Sequence, residues 1–260
     1  MTVDDWASVL GAIDSATIVL VVVTYVLAGI VKGVTGLGVP IVGVAMIAPV
    51  LGMQTAVAVL LAPSVVSNLW QAFVGGAFAL IIRRLWPMLL TACIGIWFGS
   101  GILAVADGRF LVLFLGAVLI IYTSVALARA KLPSPGTWEP WLTPVFGAVG
   151  GVVYGMIGSF MMPGTLYIQS LGFSRDQFVQ ALGIAFVTIA IVLTAALSQR
   201  AMLSPALAVL SLGAVVPTLI GMVVGQKLRR VLTEEQFTRV VLVVIMIAGF
   251  YMVARGLFGL

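Results

Sequence analysis

Acidic and metal-binding side chains are scarce in this 260-residue sequence, which has no histidine, one cysteine and 8% charged residues. No aspartate or glutamate lies inside an apolar segment. Divalent-metal sites and intramembrane proton relays need carboxylate, imidazole or several thiolate groups, so both are disfavoured. An intramembrane protease is disfavoured as well, because it requires a nucleophile with a base or paired aspartates. We therefore expect no enzyme activity, no metal site and no cofactor.

Hydrophobic residues dominate instead: they make up 62% of the chain, and the mean hydropathy is +1.26. Such a composition belongs in lipid, so we predict an all-α polytopic membrane protein whose partner is the bilayer. About 20 apolar residues span a bilayer, and segments 39–51 and 161–171 are too short to do so comfortably. The ten predicted segments are 16–32, 39–51, 54–74, 86–106, 110–128, 141–157, 161–171, 177–198, 204–226 and 236–254.

The basic residues lie in short loops rather than along one face, which disfavours a nucleic-acid partner despite a pI of about 9.8. If the N-terminus lies outside and every segment crosses, nine basic residues fall at cytoplasmic ends and three outside, as the positive-inside rule requires. Five segments per half is an odd number, so we predict two inverted repeats with both termini outside. The nine are Arg83, Arg84, Arg129, Lys131, Arg175, Lys227, Arg229, Arg230 and Arg239, and the three are Arg109, Arg200 and Arg255.

A GxxxGxxG motif followed by proline occurs in both halves, with its glycines 122 residues apart. Glycine and proline that interrupt apolar segments at corresponding places in two halves indicate the binding site of a secondary transporter. GxxxG patterns also serve close helix packing, so the motif alone is weak evidence. The first copy is Gly29, Gly33, Gly36 and Pro40; the second is Gly151, Gly155, Gly158 and Pro163; Gly95 and Gly99 correspond to Gly221 and Gly225 in the same way.

The proline-rich stretch 129–140 marks the predicted boundary between the repeats. We assign residues 1–130 to the first transmembrane repeat, 131–140 to a cytoplasmic linker and 141–260 to the second, inverted repeat. Helix starts are indicated by capping boxes at Ser174 and Thr233 and by N-caps at Asp107 and Ser204.

Each short segment can form a re-entrant hairpin with the segment before it or can span by itself, and the sequence leaves both possibilities open. Proline is favoured in the first turn of a helix, so we expect two helix N-termini to point into the protein. The amide groups and positive dipole end of such N-termini favour an anion. The predicted substrate-binding residues at the two turns are Gly36, Gly38, Pro40, Gly158, Ser159 and Pro163.

Lys32 is the one basic residue within the motif region, and Tyr154 occupies the corresponding place in the second half. We include both as candidate site residues, Lys32 as a cation that draws an anion toward the first turn. The alternative is that Lys32 marks the cytoplasmic end of a short helix and extends its ammonium group to the interface.

Polar residues in the third segment are spaced to form one helical stripe at Ser64, Ser67, Asn68 and Gln71. We interpret Asn68 and Gln71 as lining a substrate path and Ser64 as hydrogen bonding between helices. Gln180 and Thr188 share a similar face in the second half and are further candidates, with helix-to-helix contact as the alternative.

Residues 15–258 resemble the sulfite exporter TauE/SafE family of integral membrane permeases. The resemblance rests on the duplicated five-segment halves, the glycine-rich turns that end in proline, and QxAV-like helix starts at Gln54 and Gln180. It implies movement of sulfite, sulfoacetate or other organosulfonates across the bacterial inner membrane, most often outward. Ser159 to Met162 are bulkier than the corresponding Leu37 to Val39, a departure that puts a symmetric two-turn site in doubt.

Two alternatives remain open at this stage. The first is an importer of another sulfur compound or small organic anion. The second is a non-transporting membrane subunit, which would require neither interrupted helices nor a polar stripe within the bundle. The sequence leaves the oligomeric state undetermined.

Overall fold

A computed structural model describes residues 14–128, 133–228 and 234–258. These residues form helices joined by short turns, without a strand among them. In chain order the helices are α1 (Ser15–Thr35), α2 (Val39–Leu51), α3 (Met53–Phe73), α4 (Phe78–Val105), α5 (Gly108–Leu127), α6 (Glu139–Ile157), α7 (Leu166–Ser170), α8 (Arg175–Gln199), α9 (Pro205–Gly213), α10 (Val215–Leu228) and α11 (Glu234–Phe258).

The described residues contain eight helical stretches that are long and apolar enough to cross a membrane. The prediction of an all-α polytopic membrane protein is therefore confirmed. The helix α2 has 13 residues and is about 20 Å long, which is less than the apolar thickness of a bilayer. The helix α4 begins eight residues before the predicted segment, and the predicted segment 204–226 is divided at Ala214 into α9 and α10.

Helix starts follow the local sequence signals. Asp107 accepts a hydrogen bond from the Arg109 amide, and Ser204 caps α9 in the same way. Ser174 forms the predicted capping box with Gln177 at the start of α8. The capping box predicted at Thr233 lies outside the described residues. Side chains that satisfy free backbone amides explain why these helices begin where the sequence indicates.

The glycines of the repeated motifs lie where two backbones touch. A Cβ on Gly29 in α1 would collide with the Thr218 carbonyl oxygen of α10, and one on Gly33 would collide with the Met222 carbonyl oxygen. Small residues allow the backbones of two membrane helices to approach closely. This matters in lipid because the hydrophobic effect does not drive larger side chains together there.

The second motif is used in the same way by a different helix pair. A Cβ on Gly151 in α6 would collide with the Ala92 carbonyl oxygen of α4, and one on Gly155 would lie 2.7 Å from the Ile96 carbonyl oxygen. The motif of α1 therefore meets the pair Gly221 and Gly225, while the motif of α6 meets the pair Gly95 and Gly99.

Four helix pairs carry most of the packing, and each joins the first half of the chain to the second: α4 with α6, α1 with α10, α5 with α11, and α3 with α8. The halves therefore share one interleaved core. The boundaries of the repeats and their inverted orientation stay predictions.

Candidate functional site

The first glycine-rich turn joins α1 to α2. Gly36 has left-handed backbone angles (φ 80°), and its amide donates to the Lys32 carbonyl oxygen at 2.7 Å. Glycine suits this conformation because it has no Cβ to clash. The helix α2 begins at Val39 with Pro40 in its first turn, as predicted from the sequence.

Lys32 lies inside the protein, with 3% of its surface exposed. Its Nζ donates to Asn68 Oδ1 in α3 at 2.5 Å, and Asn68 Nδ2 donates to the Ser64 carbonyl oxygen at 2.7 Å. No carboxylate within residues 14–128, 133–228 and 234–258 forms an ion pair with Lys32; the Arg84–Glu139 pair lies elsewhere. The Lys32 side chain is therefore buried and bonded within the bundle rather than extended along its surface.

A cavity of about 810 Å³ opens beside Lys32. It lies at the end of the bundle where α1, α3 and α10 end and α8 begins. Three of the predicted site residues, Lys32, Gly36 and Gln71, line it. Its other lining residues are Gly33, Thr35, Ser67, Trp70, Val74, Gly75, Arg175, Asp176, Phe178, Val179, Met222 and Gln226.

Two side chains of the polar stripe form hydrogen bonds with α1 and with the glycine-rich turn that follows it. Asn68 holds Lys32, and Gln71 Nε2 donates to the Gly36 carbonyl oxygen at 3.2 Å. The Ser64 hydroxyl, in contrast, has no hydrogen-bond partner in the part of the chain that is described. Asn68 and Gln71 therefore connect α3 to α1 and its turn, and Gln71 also lines the cavity. The predicted roles of Asn68 and Gln71 in a substrate path and of Ser64 in helix contact stay predictions.

The second glycine-rich turn follows α6. Gly158 is left-handed (φ 66°), and its amide donates to the Tyr154 carbonyl oxygen at 2.8 Å. A five-residue π turn, Met161–Thr165, then leads into α7. Within this turn only Met162 has extended backbone angles, so helical backbone resumes at Pro163. The two turns thus share a left-handed glycine, while the proline lies in the first turn of α2 in one case and in the π turn before α7 in the other.

Side chains fill the space around the second turn. Phe160 is fully buried and lies where a Cβ on Gly150 or Gly164 would meet its ring. Its ring also makes an edge contact with Tyr154, at 6.3 Å between centroids. None of the second-half candidates, namely Tyr154, Gly158, Ser159, Pro163, Gln180 and Thr188, lines the 810 Å³ cavity.

Gln180 and Thr188 make backbone contacts. Gln180 Nε2 donates to the Ala72 carbonyl oxygen at 3.1 Å, and its Oε1 accepts from the Ala77 amide at 3.0 Å. Thr188 donates to the Ile184 carbonyl oxygen of its own helix at 2.8 Å. Gln180 therefore caps the end of α3 and the turn that follows, which is the helix-to-helix contact considered as an alternative.

Six buried hydroxyl groups have no hydrogen-bond partner among the described residues: those of Thr24, Tyr25, Ser64, Ser67, Tyr154 and Ser159. Each of these residues is at most 2% exposed. Buried polar groups are normally paired, so each of these hydroxyl groups calls for an explanation such as a bound ligand or water. Sequence analysis missed Tyr25, although it precedes Lys32 by seven residues, two helical turns on the same face.

The opposite end of the bundle carries arginines that bind backbone carbonyl groups. Arg200 Nη2 donates to the Trp97 carbonyl oxygen at 3.0 Å, and its Nε donates to the Ser100 hydroxyl at 3.2 Å. A second cavity of about 410 Å³ lies at this end and is lined in part by Arg109 and Arg255.

Comparison with known proteins gives one match. The family model described as sulfite exporter TauE/SafE matches residues 21–252, nearly the whole chain. No curated protein and no solved structure matches the chain significantly.

Proposed function

The chain belongs to the sulfite exporter TauE/SafE family, and from this premise we propose that it exports sulfite, sulfoacetate or other organosulfonates across the bacterial inner membrane. The family is one of membrane transporters, and the eight long apolar helices agree with a multi-pass protein. The identity of the anion, the direction of movement and the site within the protein are parts of the proposal.

The observation that carries the proposal is the buried ammonium group of Lys32 beside the cavity. A lysine has three donor hydrogens, and one of them is bonded to Asn68. A charge removed from water without an opposite charge is costly, and an anion that enters the cavity would offset that cost. We propose that the cavity receives the anion and that Lys32 attracts it.

We extend the binding site to the two turns, from Gly36 to Pro40 and from Gly158 to Pro163. At the first turn, the leading amide groups of α2 have no partners within the helix, and the positive end of the helix dipole lies there. A small anion such as sulfite could accept hydrogen bonds from these amides without any side chain. The second turn would receive the anion later in the transport cycle.

The membrane potential provides the driving force in this proposal. A monovalent anion that leaves a cell with a negative interior gains roughly 2.3 kcal/mol per 100 mV. Because no apolar segment contains a carboxylate or histidine, we propose electrogenic export without proton coupling, in which Lys32 stays protonated throughout the cycle.

Flux in reconstituted vesicles tests this proposal. The membrane potential is set with potassium and valinomycin, and the movement of sulfite, sulfoacetate and methanesulfonate is followed, with protein-free vesicles as the control. We expect flux that rises with the potential. Flux that ignores the potential but stops when a pH gradient is collapsed would contradict the uniport mechanism. Absence of flux for every sulfur anion would contradict the proposed function itself.

A further inference from the structure

Three of the unpaired hydroxyl groups lie close together in the middle of the bundle. Tyr154 of α6 lies one helical turn before Gly158, and Ser64 of α3 lies one turn from Leu60, whose side chain packs against Gly158. The Tyr25 hydroxyl of α1 lies beside α2 where that helix packs against the same glycine. None of the three hydroxyls has a hydrogen-bond partner among the described residues. All three residues are 0% exposed. Three different helices therefore bring one hydroxyl each to the surroundings of the second turn, where no acceptor among the described residues satisfies them.

The cluster begins one helical turn from the cavity. Ser67 lines the cavity, and Ser64 lies one helical turn further along α3. One turn beyond, the Leu60 side chain packs against the second turn, 2.9 Å from where a Cβ on Gly158 would lie. The rise from Ser67 to Leu60 is about 10 Å. The hydroxyl groups thus lie between the cavity and the second turn.

The helix α2 borders the same region. A Cβ on Gly43 would lie 3.2 Å from the Tyr25 hydroxyl, and a Cβ on Gly158 would lie 3.3 Å from the Val44 side chain. The first short helix is therefore adjacent both to the hydroxyl cluster and to the second turn. A ligand held by the cluster would be in reach of the two segments that interrupt the membrane-spanning pattern.

We propose that the hydroxyl groups of Tyr25, Ser64 and Tyr154 form an occluded binding site for the trioxygenated sulfur group of a sulfonate or sulfite ion. This inference rests on the proposed function and adds a site that lies deeper than Lys32. A sulfonate presents three equivalent acceptor oxygens on one atom, and three hydroxyl donors on separate helices can address them together. Neutral donors bind the anion without a second buried cation, so the anion is able to leave again.

The surroundings favour an anion over a cation at this site. Asn68 holds the Lys32 ammonium, and the amide of the same side chain donates to the Ser64 carbonyl oxygen. A positive charge is therefore fixed close to the cluster, and it repels a cation while it attracts an anion. The Ser64 carbonyl oxygen already accepts one hydrogen bond, which weakens it as a cation ligand.

The test removes single hydroxyl groups and keeps the rings. Purified full-length protein is titrated with methanesulfonate and with sulfite, and affinity is read from the rise in melting temperature. We expect Tyr25→Phe and Tyr154→Phe each to weaken binding about tenfold, because each removes one donor to a charged ligand. Tyr251→Phe, whose hydroxyl lies on an exposed residue of α11, should bind as the unaltered protein does.

Melting without ligand separates a binding role from a structural one. Because the Tyr25 and Tyr154 hydroxyls have no hydrogen-bond partner among the described residues, their removal should leave the melting temperature of the ligand-free protein unchanged or higher. Tyr167→Phe is the contrasting variant, since the Tyr167 hydroxyl lies 2.6 Å from that of Thr143. We expect Tyr167→Phe to lower the melting temperature. Ser64→Ala provides the same binding test at the third position, with the smallest change in volume.

Two results would overturn the site. The first is unchanged affinity and flux in Tyr25→Phe, Tyr154→Phe and Ser64→Ala, while Lys32→Gln loses flux; the proposed function would then stand without this site. The second is stabilisation by sodium ions in the absence of any anion that disappears in the same variants, which would mark a cation site. If the unaltered protein neither binds nor moves any sulfur oxyanion, the proposed function falls as well.

Discussion

A Cβ added to Gly36 in the first turn would meet no atom within 4 Å, whereas one added to Gly158 in the second turn would lie 2.9 Å from the Leu60 side chain. Both glycines are left-handed, and each turn contains a proline close after its glycine, Pro40 in the first turn of α2 and Pro163 in the π turn before α7. The first turn borders a cavity of about 810 Å³, and the second is packed by Phe160 and its neighbours.

The two turns share a left-handed glycine, but they differ in whether a cavity reaches them. Glycine allows the same left-handed end of the preceding helix in both halves because it acts through local steric limits. Access differs between the turns: Gly36 lines the cavity, while Ser159 and Phe160 are buried around the second turn. Equivalent positions also differ in charge, with Lys32 in one half and Tyr154 in the other.

The largest expected effect is on folding, where the two halves should behave alike. Gly29→Leu and Gly151→Leu each place a side chain against a backbone carbonyl oxygen of a neighbouring helix, so the helices must separate. We expect overpacking costs of about 1–3 kcal/mol or more, seen as loss of monodisperse protein in size-exclusion chromatography. Gly213→Leu, where a Cβ would meet nothing within 4 Å, is the matched control. A normal yield of monodisperse protein for both Gly29→Leu and Gly151→Leu would contradict close packing of these helices.

The next largest effect concerns transport and should separate the halves. Lys32→Gln removes the buried ammonium, and we expect anion flux to fall about tenfold, corresponding to roughly 1.4 kcal/mol, while the yield of folded protein stays near normal. The control is Lys227→Gln, which removes a positive charge at an exposed position near the end of α10. Unchanged flux in Lys32→Gln would remove the lysine from the mechanism.

A smaller effect distinguishes the turns themselves. Gly36→Val and Gly158→Val both place a residue with a side chain in left-handed backbone, which we expect to lower the free energy of unfolding by about 1–2 kcal/mol each. The Gly158 variant adds a clash with Leu60, so we expect its melting temperature to fall further. We expect Gly36→Val to lower flux more than it lowers expression, because its side chain obstructs the approach of an anion to the backbone. Equal losses of stability would show that the packing difference between the turns is unimportant.

The mildest change tests orientation and should leave folding and flux intact. In a Cys93→Ala background, single cysteines replace Ser134, on the predicted cytoplasmic side, and Ala201, on the predicted outer side. A membrane-impermeant thiol reagent added outside intact cells should label the cysteine at 201 and spare the one at 134. The reverse pattern would invert the assignment and place the Lys32 cavity on the outer side.

Much of the molecule could be predicted from local patterns. Hydropathy identified the membrane class, capping residues such as Asp107 and Ser174 located helix starts, and the two glycine and proline motifs located both turns. These features depend on residues within a few positions of one another, so their physical causes are visible in the chain. Lys32 could be identified as a candidate because a charged side chain within an apolar segment has a high free energy in the membrane, whatever surrounds it in the fold.

Partners distant in the chain were decided only by the tertiary structure. The sequence related the glycines of α1 to those of α6, but in the folded protein each set meets a glycine pair of a different helix, α10 and α4 respectively. It predicted which side chains of α3 form the polar stripe but not that Asn68 and Gln71 bind α1 and its turn, because a helical stripe shows which side chains share a face and not what lies opposite.

The same distinction between local sequence and tertiary packing applies to the candidate site. The sequence determined that Lys32, two glycine-rich turns and a polar stripe exist within an apolar chain. The pairing of Lys32 with Asn68, the cavity of about 810 Å³ beside Lys32 and the placement of Tyr25, Ser64 and Tyr154 near the second turn depend on how α1, α3 and α6 pack. Packing is decided by the fit of many side chains at once, and that fit is a property of the folded arrangement rather than of any short stretch of sequence.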